Sequence, residues 1–118
     1  MAKKKAFACK VADVHVGRPT MVRIGKYSIG LYRTSDGFCA LLNVCPHRGA
    51  PLCEGQVCGT TRLTDRREFI YHRDNEIVRC AWHGWEFDIR TGASLVDPWV
   101  KARTFDVITE GEDLFVQV

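Results

Sequence analysis

The stretch CAWHGWEFD, Cys80 to Asp88, sets a cysteine and a histidine three residues apart and places the histidine between Trp82 and Trp85. Upstream, CPHRG, Cys45 to Gly49, holds a second Cys-His pair with a single residue between. Each pair sits at the end of a strand-like run, FCALLN (38–43) before the first and IVRC (77–80) leading into the second. Loops anchored on strands in this way can converge on one site, so both the fold and the chemistry turn on what these two pairs hold.

The rest of the chain supports a strand reading. FACKV (7–11), MVRIG (21–25) and YSIGLYR (27–33) are rich in β-branched and aromatic residues and are separated by Gly and Pro. SDG (35–37) turns the chain into FCALLN, EFIYH (68–72) is joined through RDNE to IVRC as a second hairpin, and EGED suits a turn between ARTFDVI and LFVQV. No ten-residue segment has a clear helical period. The expectation is an all-β fold.

Length and composition narrow the options. The 118 residues suit one domain, 46% apolar and 26% charged, with the four prolines and ten glycines of an ordinary globular chain. No run is apolar and long enough to cross a bilayer. The opening MAKKKAFACK lacks the apolar stretch of a secretion signal, so the expected setting is the cytoplasm. In a reducing compartment, six cysteines point to metal binding or buried thiols rather than disulfides. The net charge of +3 owes much to Lys3, Lys4 and Lys5 and is too weak to imply nucleic acid.

A single tetrahedral zinc usually takes ligand pairs with more chain between them than the one residue separating Cys45 and His47. So tight a pair suits two adjacent metals better, and a [2Fe-2S] cluster with two cysteines on one iron and two histidines on the other needs one ligand of each kind from each loop. The sequence resembles the Rieske iron-sulfur family, whose signature is Cys-x-His in one loop and Cys-x-x-His in another, with Gly49 and Gly84 following the histidines as that signature expects. The resemblance covers most of the chain, including the proline-bearing segment around Asp97 and Pro98. It departs in one respect: the 32 residues from Arg48 to Arg79 exceed the commonest spacing between the loops, and the excess reads as an elongated hairpin with a polar middle.

The resemblance implies a Rieske iron-sulfur fold over residues 1–118, antiparallel strands from both chain ends carrying a loop-rich cluster-binding subdomain at about 44–90. It makes Cys45, His47, Cys80 and His83 the ligands of a Rieske-type [2Fe-2S] cluster, sulfur on the inner iron and imidazole on the outer one. Two ferric ions, two sulfides, two thiolates and two neutral imidazoles sum to zero. Relative to four thiolates, this raises the potential from about −400 mV into a range of roughly −150 to +300 mV. High-potential members of the family place a serine and a tyrosine where this chain has Trp85 and Phe87, and a disulfide where it has Ala50 and Trp82. Without those groups the expected potential is roughly −150 mV, within about 100 mV.

The implied function is a Rieske-type ferredoxin, a one-electron carrier from a reductase to a ring-hydroxylating or related Rieske oxygenase, with no catalytic residue of its own. Its partners would be those two proteins, met transiently, and it would bind no nucleic acid, membrane or small-molecule substrate. The alternative is the small Rieske subunit of a nitrite reductase or another multisubunit oxidoreductase. A further reading, the Rieske portion of an oxygenase, needs a mononuclear iron held by two more histidines and a carboxylate; only His15 and His72 remain and 118 residues leave no room for a second domain, so oxygen activation by this chain alone is not expected.

Other residues draw plainer expectations. Trp82 and Trp85 pack around the cluster and shield it. Cys9 and Cys39 are small buried residues within strands. Cys53 and Cys58 are read as core or partly exposed thiols, with a regulatory disulfide between them as the minor reading. His15 and His72 belong to the surface, and Arg48 either steers an acidic partner or is simply solvated. Glu86 and Asp88, alternating about Phe87, mark an exposed strand face, and RLTDRRE (62–68) is read as a solvated loop, with a docking patch for a partner protein as the minor reading.

Overall fold

The computed structural model describes residues 4–46, 49–63, 69–80 and 84–118, with backbone alone for 60–63, 69–72 and 74. The fold is all-β. Among the described residues ten strands run in chain order: β1 (Lys5–Lys10), β2 (Thr20–Ile24), β3 (Tyr27–Thr34), β4 (Gly37–Leu42), β5 (Gln56–Leu63), β6 (Phe69–Arg79), β7 (Glu86–Asp88), β8 (Thr104–Phe105), β9 (Val107–Glu110) and β10 (Asp113–Gln117). They form three sheets, ordered β1-β10-β9, β2-β3-β4-β8 and β5-β6-β7, and every pair of neighbours within them is antiparallel.

Burial alternates with period two along β2 and β10, whereas the central β3 is buried on both faces from Ile29 to Tyr32. In β10, Leu114 and Val116 are fully buried while Asp113, Phe115 and Gln117 turn outward. The first and last strands of the chain pair with each other, Lys5 opposite Gln117 and Lys10 opposite Asp113. Their inward residues join Ile29, Leu31, Ala40 and Phe105 in one apolar cluster. A second cluster gathers Tyr32, Leu41, Leu52, Val78, Phe87, Ile89 and Ala102 around Cys45 and Cys80. β3 serves both: Ile29 and Leu31 enter the first cluster and Tyr32 enters the second.

The long segment between the two Cys-His pairs is an elongated antiparallel hairpin, as its strand-like ends suggest. The expectation that RDNE turns the chain is corrected, because β6 passes straight through those residues. The register steps from Cys58↔Ile77 to Thr60↔His72, so residues 73–76 bulge out opposite Gly59, and pairing continues to Leu63↔Phe69; most of RLTDRRE lies outside the described residues. Arg73 and Asn75 take left-handed backbone conformations, φ 60° and 64°, that fit a bulge as well as a turn. Arg73 bonds Asp88 of β7, and Glu76 accepts from Arg90 at 2.8 Å, which holds the bulge against the body of the protein.

Candidate metal centre

Cys45 and Cys80 head two loops closed by the same backbone pattern. The Cys45 N–H donates to the Ala50 carbonyl at 2.7 Å, and the Gly49 N–H donates back to the Cys45 carbonyl at 2.7 Å. In the second loop the Cys80 N–H donates to the Trp85 carbonyl at 2.8 Å and the Gly84 N–H to the Cys80 carbonyl at 2.9 Å. Both glycines are left-handed, φ 74° and 70°, a conformation in which a Cβ is strained. Two segments far apart in the chain are thus closed by the same pair of hydrogen bonds at the same spacing, with a cysteine at the same place in each.

The two loops are brought together by close packing behind them. After the first loop, a short 3-10 turn (Leu52–Glu54) ends at Gly55, and a Cβ on Gly55 would lie 1.9 Å from the carbonyl oxygen of Arg79, the residue before Cys80. Only glycine lets the tail of loop one press against the strand that delivers loop two. Loop one is also tied to itself and to β3: the Asn43 Oδ1 accepts the Cys53 N–H at 2.8 Å, and the Asn43 N–H donates to Ser28 at 2.9 Å. Gly55 and Asn43 drew no notice in the sequence. The Gly after LCE, and a polar Asn closing an apolar strand, were the available signals.

Cys45 and Cys80 are each 1% exposed and share one apolar cluster. Trp85 packs against that cluster with its ring stacked on Phe87, centroids 6.4 Å apart, which agrees with a shielding role. Bare thiolates in such surroundings would be costly, whereas cations that bind them remove the uncompensated charge. The donor set thus fits soft metal ions. His47, Arg48, Trp82 and His83 lie outside the described residues, and among the described residues no group of three His, Cys, Asp or Glu could hold a metal. What is visible is the sulfur half of the expected site.

The remaining expectations divide. Cys9 is buried on β1, Cys39 is half-buried on β4 and Cys58 is buried on β5. Cys53 carries a free thiol, so the Cys53–Cys58 disulfide is not formed here. Burial pushes the Cys53 thiol up from its ordinary value and does the same, more strongly, to the Tyr32 phenol beside it. His15 is exposed. The exposed face expected at Glu86 and Asp88 is corrected: both are half-buried in ion pairs, Glu86 with Arg79 at 3.0 Å and Asp88 with Arg73, because the long hairpin covers that face. Their role is structural, as expected.

Comparison with known proteins bears on the cofactor. A family model described as "Rieske [2Fe-2S] domain" matches residues 4–106. The human "Apoptosis-inducing factor 3" is 32% identical over 114 residues, which cover 96% of this chain but only 16% of that much longer protein. The "3-phenylpropionate/cinnamic acid dioxygenase ferredoxin subunit" of Escherichia coli K12 is 28% identical over 115 residues, covering 97% of this chain and 93% of the relative. Among solved structures, the "Sphingomonas yanoikuyae B1 ferredoxin" superposes with a TM-score of 0.74 at 26% identity, covering 98% of this chain and 99% of that one.

Proposed function

Because the chain belongs to the Rieske [2Fe-2S] domain family, we propose that it is a Rieske-type ferredoxin, a one-electron carrier between a reductase and a ring-hydroxylating or related oxygenase. The family's [2Fe-2S] cluster is its cofactor and, when bound, supplies one-electron chemistry. Cys45 and Cys80 hold the inner iron and His47 and His83 the outer one. The observation that carries this assignment is the twin loop closure, which sets two buried cysteines at equivalent positions in one core. Residues 44–90 form the cluster-binding unit of a single domain, resting on the sheets built from the two ends of the chain.

The chain's own residues bind, position and exclude water. Leu52, Val78, Phe87 and Trp85 surround the cysteines with apolar side chains, and Gly55 sets the separation of the loops. No residue is assigned a catalytic role. Support for a carrier comes from the E. coli ferredoxin subunit, which this chain matches over nearly its whole length.

Reconstitution tests the reading. The cluster-loaded chain is mixed with a ferredoxin reductase and the oxygenase component of 3-phenylpropionate dioxygenase, and NADH oxidation coupled to product is followed. Turnover that depends on the added chain is expected. Turnover indifferent to the chain, with efficient coupling instead to a nitrite reductase large subunit, would transfer it to the other multisubunit class.

A further inference from the structure

The segment from Ser94 to Lys101 leaves the core around Cys45 and Cys80 and returns to it as a closed loop with an apolar tip. The Ser94 N–H donates to the Val100 carbonyl at 2.9 Å and closes the neck. The Ser94 side chain, 1% exposed, accepts the N–H groups of Val96 and Asp97 on its Oγ, both at 3.3 Å. At the tip, the Asp97 Oδ1 accepts the Trp99 N–H at 3.2 Å and the Asp97 carbonyl accepts the Val100 N–H at 2.9 Å. An Asp followed by Pro98 is the chemistry of a tight turn with φ already set. The Leu95 N–H then donates to the Glu86 carbonyl at 2.9 Å, which fastens the loop two residues beyond Gly84 of the second cysteine loop.

This much internal bonding fixes the loop, yet the side chains it fixes face water. Trp99 is 93% exposed and Val96 is 80% exposed, while Val100, one residue on, packs against the core. The fold thus makes no use of the indole. A lone exposed apolar residue is ordinary; a rigid turn that holds an indole and a valine outward beside a candidate redox site is a preorganised contact. The patch is too small for a stable pairing of two copies, since an indole covers roughly 200 Å² against about 800 Å² per partner in a standard interface. It has the size of an anchor in a short-lived complex, where Trp is favoured. Lys101 follows on the same strand-like stretch, exposed and without an ion pair among the described residues, so a carboxylate is its natural complement.

We infer that the Ser94–Lys101 loop is the docking finger for the oxygenase: Trp99 and Val96 enter an apolar pocket on that protein, and Lys101 meets a carboxylate at the pocket's rim. The inference rests on the carrier reading above. One electron passes from the reduced chain to the oxidised oxygenase, with no bond or proton exchanged. Ser94 and Asp97 act as positioning residues.

The test uses the full chain, cluster-loaded and reduced with dithionite, mixed by stopped flow with rising concentrations of the oxygenase components of 3-phenylpropionate and carbazole dioxygenases. Trp99→Ala is expected to raise the half-saturating oxygenase concentration by at least about tenfold, as loss of an aromatic anchor does, with the limiting rate and reduction by a ferredoxin reductase unchanged. Lys101→Glu should raise it too, and most at low salt. In chain labelled with fluorotryptophan, the Trp99 resonance, assigned with Trp99→Phe, should move on adding oxygenase. Half-saturation within twofold of wild type for Trp99→Ala, or a loss confined to the reductase step, overturns the inference while leaving the carrier reading intact. A wild-type chain that reduces neither oxygenase overturns the carrier reading and the finger with it.

Discussion

At the scale of residues, the proposed site depends on two cysteines whose backbone is held by paired hydrogen bonds. The left-handed glycines are part of that hold. A Cβ at Gly49 or Gly84 would touch nothing within 4 Å among the described residues, so Ala there should cost the backbone strain, about 1–2 kcal/mol each, read as a lower urea midpoint. Gly55→Ala is a different case, because its Cβ would collide with the Arg79 carbonyl; the expected result is loss of cluster content as well as stability. His47→Cys or His83→Cys should shift the potential downward by adding a thiolate, if the cluster still assembles, and an unchanged potential would place the ligands elsewhere. Cys53 and Tyr32 give a pH signature. Their folded-state values are raised by burial, so their contribution is complete below the unfolded values and falls as the medium turns alkaline above about pH 9. The thermal midpoint should therefore drop more steeply in that range for wild type than for Cys53→Ala.

At the scale of elements, the bulge in β6 joins the extra length between the loops to the body of the protein. Arg73 and Asp88 are both mostly covered, so Arg73→Ala should cost about 1–2 kcal/mol and loosen the hairpin, visible as faster amide exchange along β5 and β6. The same bulge shows where the sequence was legible and where it was not. Strands β2, β3 and β4 were readable because short runs rich in β-branched, aromatic and other apolar residues lie between clear breakers, and the two loops because Cys and His recur at telling distances. RDNE was misread because Asp and Asn favour left-handed backbone in turns and bulges alike, and only the partner strand decides between them. Glu86 and Asp88 were placed on an open face for a similar reason: their partners on the hairpin, Arg79 and Arg73, lie 7 and 15 residues back in sequence and meet them only once the strands pair. Gly55 escaped notice because its reason, a carbonyl 24 residues along the chain, exists only once the fold forms.

At the scale of the molecule, two apolar clusters share the central strand β3, one fastening the chain ends and one surrounding Cys45 and Cys80. That division gives the cluster site a rigid base. The net charge of +3 and Lys101, without an ion pair among the described residues, suit an acidic partner, so the association rate with the oxygenase should fall as salt rises from low ionic strength to about 0.15 M. Without hydroxyl donors at Trp85 and Phe87 the expected potential is roughly −150 mV, to be measured by protein-film voltammetry at neutral pH. The most direct measurement is electron spin-echo spectroscopy of dithionite-reduced protein carrying nitrogen-isotope-labelled histidine. Ligation by Cys45, His47, Cys80 and His83 requires a [2Fe-2S] signal coupled to two histidine nitrogens, and a signal with no such coupling, or no iron-sulfur signal at all, would contradict it.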